Sequence, residues 1–122
     1  MSLTFGPAVR LRARHEFTVV QQQGRRVAGR YLTVLARFNE LPCDRLGIIA
    51  SKKIGNAAVR NRAKRRLREI FRRAEPGTSR ERGLRTLDLV AIARRETAAA
   101  PFEDITVDFL GAIRRLREAR RS

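Results

Sequence analysis

The sequence predicts an α+β fold: a two-layer α/β sandwich in the order α-β-β-α-β-α, with two long helices on one face of a small sheet. Three observations lead there. Short stretches alternate apolar positions with period two, and two longer stretches repeat them with a helical period. Pro, Gly, Asn and Asp punctuate the intervals between them. At 122 residues the chain fits one domain, residues 1–122, with a single core.

The elements follow in order. Arg10, Arg12 and Arg14 crowd the start, and Pro7 argues against helix before them, so residues 1–14 read as a basic, mobile arm. A short helix runs from His15 through Gln23, with Gly24 as its stop. In "RYLTVLARF" Leu32, Val34, Ala36 and Phe38 share one face of a strand, and Tyr31, Thr33, Leu35 and Arg37 share the other. After the turn "NELPCD", a second strand in "RLGIIASKK" sets Leu46, Ile48 and Ala50 against Gly47, Ile49, Ser51 and Lys53.

Asn56 is a good N-cap for a long helix from Ala57 to about Ala74, which Pro76 and Gly77 end. "LDLVAIAR" forms the third strand. Thr97 to Ala100 lead into a last helix from Pro101 to about Arg120, with Phe102, Ile105, Phe109, Ile113 and Leu116 at helical spacing. Glu103 and Asp104 suit the dipole at its start. With both long helices on one face, the other sheet face carries Arg37, Ser51, Lys53 and Arg94 among smaller apolar residues. The short first helix covers only part of it, which leaves a cleft.

The charge narrows the function. Lys and Arg number 28 against 12 Asp and Glu, a net +16, far more one-signed charge than solubility calls for. A polyanionic partner is implied. Cys43 is the sole cysteine, so neither an internal disulfide nor a cysteine metal cluster forms within one chain. The first fifteen residues lack the apolar core of a signal peptide and no run approaches membrane-spanning length, so a cytoplasmic protein without membrane association is expected. With one His, one Cys and scattered acids, no catalytic constellation and no metal site is expected within the protein, and His15 reads as a surface or capping residue.

The basic residues concentrate in "SKKIGNAAVRNRAKRRLREIFRR", residues 51–73, against the single acid Glu69. On a helical wheel Val59, Ala63, Leu67, Ile70 and Phe71 form an apolar stripe. Arg60, Asn61, Lys64, Arg65, Arg68 and Arg72 read as the opposite side, with Arg62, Arg66 and Arg73 toward its margin. Neighbours such as Arg60, Lys64 and Arg68 repel one another, at a cost to the helix that a bound anion relieves. All three lysines of the chain, Lys52, Lys53 and Lys64, fall in this segment. Gly55, just before the helix, and the helix N-terminus itself add a place for a phosphate. These features explain polyanion binding without choosing between DNA and RNA. A structural RNA-binding protein, such as a ribosomal one, and a regulator laying this helix in a DNA major groove remain open. The helix lies between strands, however, whereas helix-turn-helix units pair two short helices.

The run Lys52, Lys53, Gly55, Asn56, Ala57, followed by Arg60, Asn61, Arg62, Lys64, Arg65 and Arg68, resembles the signature of the bacterial ribonuclease P protein component. The flanking strands and first helix are similar too. The resemblance implies a left-handed βαβ crossover, against the usual preference. It implies that the protein is a subunit of the ribonucleoprotein endonuclease that removes the 5′ leader from precursor tRNA, one protein per RNA subunit. The RNA subunit would perform Mg²⁺-dependent hydrolysis, and no cofactor would be bound by the protein alone. By the same resemblance Lys52, Lys53, Asn56, Arg60, Asn61, Arg62, Lys64, Arg65 and Arg68 would hold the RNA subunit. Phe17, Thr33, Leu35, Ile49, Ser51, Val90, Ile92 and Arg94 would line the leader cleft. Phe17 reads equally as a core residue, and Gln21 and Leu35 stand where many members of the family carry aromatics.

Overall fold

A computed structural model describes residues 9–118. The chain runs α1 (Arg14–Gln23), β1 (Arg25–Ala28), β2 (Leu32–Phe38), β3 (Arg45–Ile49), α2 (Ala57–Arg73), β4 (Leu87–Ala93), α3 (Arg95–Ala99) and α4 (Phe102–Glu118). Single 3-10 turns at Lys52–Ile54 and Pro76–Thr78 flank α2. Asn56 caps α2 as its residue type requires, its Oδ1 accepting the Val59 N–H at 3.0 Å.

The sheet has four strands in the spatial order β1-β2-β4-β3, one more than the periodicity indicates. The extra strand is β1, Arg-Arg-Val-Ala, which is mostly exposed and has no alternation of its own. Its pairing makes it a strand: Arg25 to Ala28 run antiparallel to Ala36 to Thr33. The hairpin is held from a distance, because Asp108 on α4 accepts the backbone N–H groups of Arg30 (3.0 Å) and Tyr31 (2.8 Å). β2 is antiparallel to β4, and β3 is parallel to β4, so β3-α2-β4 is a parallel crossover.

The alternation in the sequence becomes two cores. Leu32, Val34 and Ala36 of β2, Leu46 of β3, and Leu87, Leu89 and Ala91 of β4 pack under α2 and α4, which contribute among others Leu67, Phe71, Ile105 and Phe109. Leu35 and Val90 face the other way and are buried with Leu11 and Val20 beneath α1. Two ion-pair networks lock the ends. Arg45 donates to Glu16 of α1 (2.9 Å) and to both oxygens of Asp88 (2.8 and 2.7 Å). The buried Asp44 accepts from Arg117 (3.0 and 2.8 Å), from Ser79 Oγ (2.6 Å) and from the Leu87 N–H (2.8 Å).

Two expectations are corrected here. The part of the arm from residue 9 onward is docked: Val9 and Leu11 are buried, and the Leu11 N–H donates to the Leu46 carbonyl at 3.1 Å. Two apolar side chains have core to cover, and β3 offers an open edge for the backbone. Residues 1–8 of the expected arm, and the Arg120 end of the last helix, lie outside the described residues. Ser51 and Lys53 do not continue the second strand, because β3 ends at Ile49 and the chain turns at Lys52–Ile54.

Candidate nucleic-acid interface

Ten basic side chains lie between residues 51 and 73, and the fold divides them by what they already hold. Arg62 Nε donates to the Ala98 carbonyl at 2.9 Å. Arg66 Nη1 donates to the carbonyls of Thr97 (3.3 Å) and Ala100. These are carbonyls at the end of α3, which lack helical partners, so both arginines serve the fold through at least one nitrogen. Burial, and then the neighbouring Arg62 charge, hold the Arg66 pKa below the ordinary arginine value. Arg72 (3.0 and 2.7 Å) and Arg73 (2.8 Å) both grip Glu69, the one acid of the segment.

What remains faces outward. Lys52, Lys53, Arg65 and Arg68 are exposed and Lys64 is half-buried. None of these five side chains has a partner among the described residues. Asn61 is exposed beside them. Arg60 departs from the wheel reading: it is half-buried, and its Nε is shielded without a hydrogen-bond partner. At about 100° per residue its position falls between Leu67 and Phe71, on the margin of the apolar stripe rather than opposite it. Only its terminal nitrogens are left to reach a phosphate.

The lysine turn is set against α2 by a backbone that only glycine adopts readily. Gly55 has φ 153°, and a Cβ there would stand 2.8 Å from Val59 Cβ. Ile54, buried, anchors the turn to the core. Lys52 and Lys53 are thereby presented just ahead of the first α2 N–H groups, the positive end of the helix dipole.

The expected leader cleft is only partly open. Register explains how. Gly47, Val90 and Leu35 form one row across β3, β4 and β2, and Ile49, Ile92 and Thr33 form the next. The first row is covered. Phe17 lies on Gly47, where an added Cβ would come within 2.4 Å of the ring, and Val90 and Leu35 are buried under α1 and Leu11. Thr33 is also buried, and Arg94 is spent on the hairpin, donating to Thr33 Oγ1 (2.8 Å) and to the carbonyls of Gly29 (3.0 Å) and Arg30 (3.2 Å). Leu35, Val90, Thr33 and Arg94 therefore form the floor and wall of this face. Phe17, Ile49 and Ile92 stay half-buried and Ser51 is exposed, which leaves a narrow apolar strip running into the lysine turn. Phe17 belongs to the second core and to this strip at once.

Among the described residues no group of three or more His, Cys, Asp or Glu could hold a metal ion. The carboxylates nearest the sheet, Glu16, Asp44 and Asp88, are taken by Arg45 and Arg117. Cys43 is buried, and that burial pushes its thiol pKa up, away from nucleophilic use. No described helix is long and apolar enough to cross a membrane. Sequence reasoning missed Asp108, Glu16 and Arg45 as positioning residues. The partners of Asp108 and Arg45 lie 29 to 78 positions away, where no local pattern marks them, whereas Glu16 also accepts the nearby N–H groups of Arg12 and Ala13.

Residues 5–117 match the family model described as Ribonuclease P. The chain is 35% identical over 103 residues to the ribonuclease P protein component of Syntrophus aciditrophicus, covering 84% of this chain and 82% of that protein. It is 37% identical over 118 residues to that of Erythrobacter litoralis, covering 97% and 93%. Its fold is similar to the RNase P protein from Thermotoga maritima solved with 1-(4-fluorophenyl)-2-thiourea. The TM-score is 0.72 at 32% identity, over 91% of this chain and all of that one.

Proposed function

Because the chain belongs to the ribonuclease P protein family, we propose that it acts through two adjoining surfaces, one for the RNA subunit of that endoribonuclease and one for the 5′ leader of precursor tRNA. As a ribonuclease P protein component it associates with the ribonuclease P RNA and forms part of the holoenzyme. Family membership also sets aside the readings as a ribosomal protein or a DNA-binding regulator.

The observation that carries the division is the sorting of the basic side chains. Arg62, Arg66, Arg72 and Arg73 have partners within the fold, whereas among the described residues Lys52, Lys53, Lys64, Arg65 and Arg68 have none, and Asn61, Lys64, Arg65 and Arg68 share one side of α2. With the ends of Arg60 and the capped start of α2 at Asn56, this surface holds the phosphates of the RNA subunit, Arg by bidentate forks and Lys as point charges. The strip of Phe17, Ile49, Ile92 and Ser51 takes the leader, and its closeness in the chain to Lys52 and Lys53 supports a leader lying next to the RNA subunit. Leu35, Val90, Thr33 and Arg94 support it from beneath.

In this reading hydrolysis belongs to the RNA subunit and its Mg²⁺. The protein lowers the Mg²⁺ demand by screening phosphate repulsion where leader and RNA subunit meet. One protein serves one RNA subunit, in the cytoplasm. The test is reconstitution: labelled precursor tRNA and a bacterial ribonuclease P RNA at low Mg²⁺, with and without the chain. Cleavage at the mature 5′ end should rise with the protein, and Phe17→Ala should weaken leader-dependent affinity while assembly persists. No rise in cleavage refutes the reading.

A further inference from the structure

On the outer surface of α2, beside the start of α4, a depression of about 360 Å³ is lined by Arg65, Arg66, Arg68, Glu69, Arg72 and Phe102. We propose that this depression receives one unpaired nucleobase of the RNA subunit, with the phosphates flanking that base held by Arg65 and Arg68. The inference rests on the reading that α2 docks on RNA, and deepens it by adding a contact that charge alone does not supply.

Five of the six lining residues are ionisable, yet the walls are almost wholly apolar. Long side chains explain this: the aliphatic stems line the hollow while the charged heads lie elsewhere. Two of those heads are fixed. Arg66 is tied to the carbonyls of Thr97 and Ala100, and Arg72 to Glu69. Their stems are therefore held as walls. Phe102 is half-buried and packs against the main core, and the Arg73 guanidinium stands 5.5 Å from its ring centroid. Arg65 and Arg68 alone in the lining are exposed cations without a partner among the described residues.

Charge and wall chemistry together select the occupant. An aliphatic side chain or acyl chain would suit the walls but leave Arg65 and Arg68 facing it unpaired. A free phosphate would suit those two and leave the apolar walls wet. A flat heteroaromatic ring joined to a phosphate on each side satisfies both, stacking against the Phe102 ring and the arginine stems. The volume lies at the lower end of the range for small-molecule sites, about 300–1,000 Å³, which suits one ring system rather than a run of bases. Stacking of this kind tolerates any base, so the site selects an unpaired nucleotide by its exposure rather than its identity.

The test measures binding of the full chain to its ribonuclease P RNA across a salt series. Phe102→Leu keeps the apolar packing and removes the ring. Affinity should fall by about 5- to 150-fold, the scale of one stacked base, by the same factor at every salt concentration, because no phosphate contact is lost. Phe102→Tyr should restore wild-type affinity. Melting of each variant guards against misfolding, and if the leucine variant melts early the comparison passes to Phe102→Met against Phe102→Tyr. Lys64→Ala with Arg60→Ala is the control for α2 docking and should flatten the salt dependence. If that control weakens binding but the leucine variant binds like wild type, the base site is wrong and the docking reading stands. If neither changes binding, both fall. A tyrosine variant as weak as the leucine one also overturns the base site.

Discussion

Replacing Arg65 and Arg68 together by alanine is expected to flatten the salt dependence of binding to the ribonuclease P RNA, whereas replacing Arg62 and Arg66 is not. Among the described residues, six cations of residues 51–73 have no side-chain partner: Lys52, Lys53, Arg60, Lys64, Arg65 and Arg68. If each neutralises one phosphate, the slope of log affinity against log salt is about −4 with the single-strand coefficient and about −5 with the duplex one. Between roughly 50 and 200 mM salt that slope costs about 300- to 2,000-fold in affinity. With Arg65 and Arg68 gone, four contacts remain, the slope rises to about −3 to −4, and the same salt change costs only about 50- to 150-fold. Arg62 and Arg66 carry the same formal charge but hold the end of α3. Their loss should appear mainly as a lower melting temperature. Filter binding or fluorescence anisotropy over the salt series, with a thermal melt of each variant, reads both quantities. An unchanged slope for Arg65→Ala with Arg68→Ala, or an equally flattened one for a folded Arg62→Ala with Arg66→Ala, would refute the sorting of these arginines by internal partner.

Asp44→Ala removes the acceptor of Arg117, Ser79 and the Leu87 N–H in a buried setting. It should cost about 3–5 kcal/mol, a fall of more than roughly 10 °C in Tm for a chain of this size, and a fall of a few degrees would contradict that role. Gly55→Ala forces a side chain into φ 153° and against Val59. A loss of about 1–3 kcal/mol should come with weaker RNA binding as Lys52 and Lys53 shift, and a variant matching wild type in both would show that the turn adapts. Glu16 accepts the N–H groups of Arg12 and Ala13 and pairs with Arg45, and these contacts, the Arg12 N–H foremost, hold its pKa below the ordinary glutamate value. A depressed folded pKa gives stability that is complete above about pH 4.3, the unfolded glutamate value, and is lost as the pH falls through the lower folded one. The Tm gap between wild type and Glu16→Gln should therefore be wide at neutral pH and narrow progressively in acid, and a gap independent of pH would remove Glu16 from that role.

Elements whose signals are local were legible in the chain. Asn56 as N-cap, Ala57 as the first residue of α2, and Leu87 as the first of β4 agree with the structure, because capping, helical spacing and two-residue alternation act over a few neighbours. The strand expected from Arg30 is β2, which begins at Leu32, since Asp108 holds the preceding hairpin residues. β1 had no such signal. Arg60 was set on the wrong side of the wheel: at about 100° per residue the spacing itself puts it between Leu67 and Phe71, and its shielded Nε agrees. The cleft was legible as a face but not as a depth. Periodicity puts Leu35, Ile49, Val90 and Ile92 on one side of the sheet, but only strand register sorts them into a covered row and a half-open one.

By itself the sequence determined a basic protein with one cationic helix, its apolar stripe, its cap, the lysine turn before it and the family signature that these residues compose. Each depends on residue type and short spacing. Only the tertiary structure decided which arginines are committed to carbonyls and carboxylates of the fold and which are left for a phosphate. Formal charge is the same for all of them. Commitment depends on partners brought close by packing, as Ala98 is to Arg62 across 36 positions and Thr97 to Arg66 across 31.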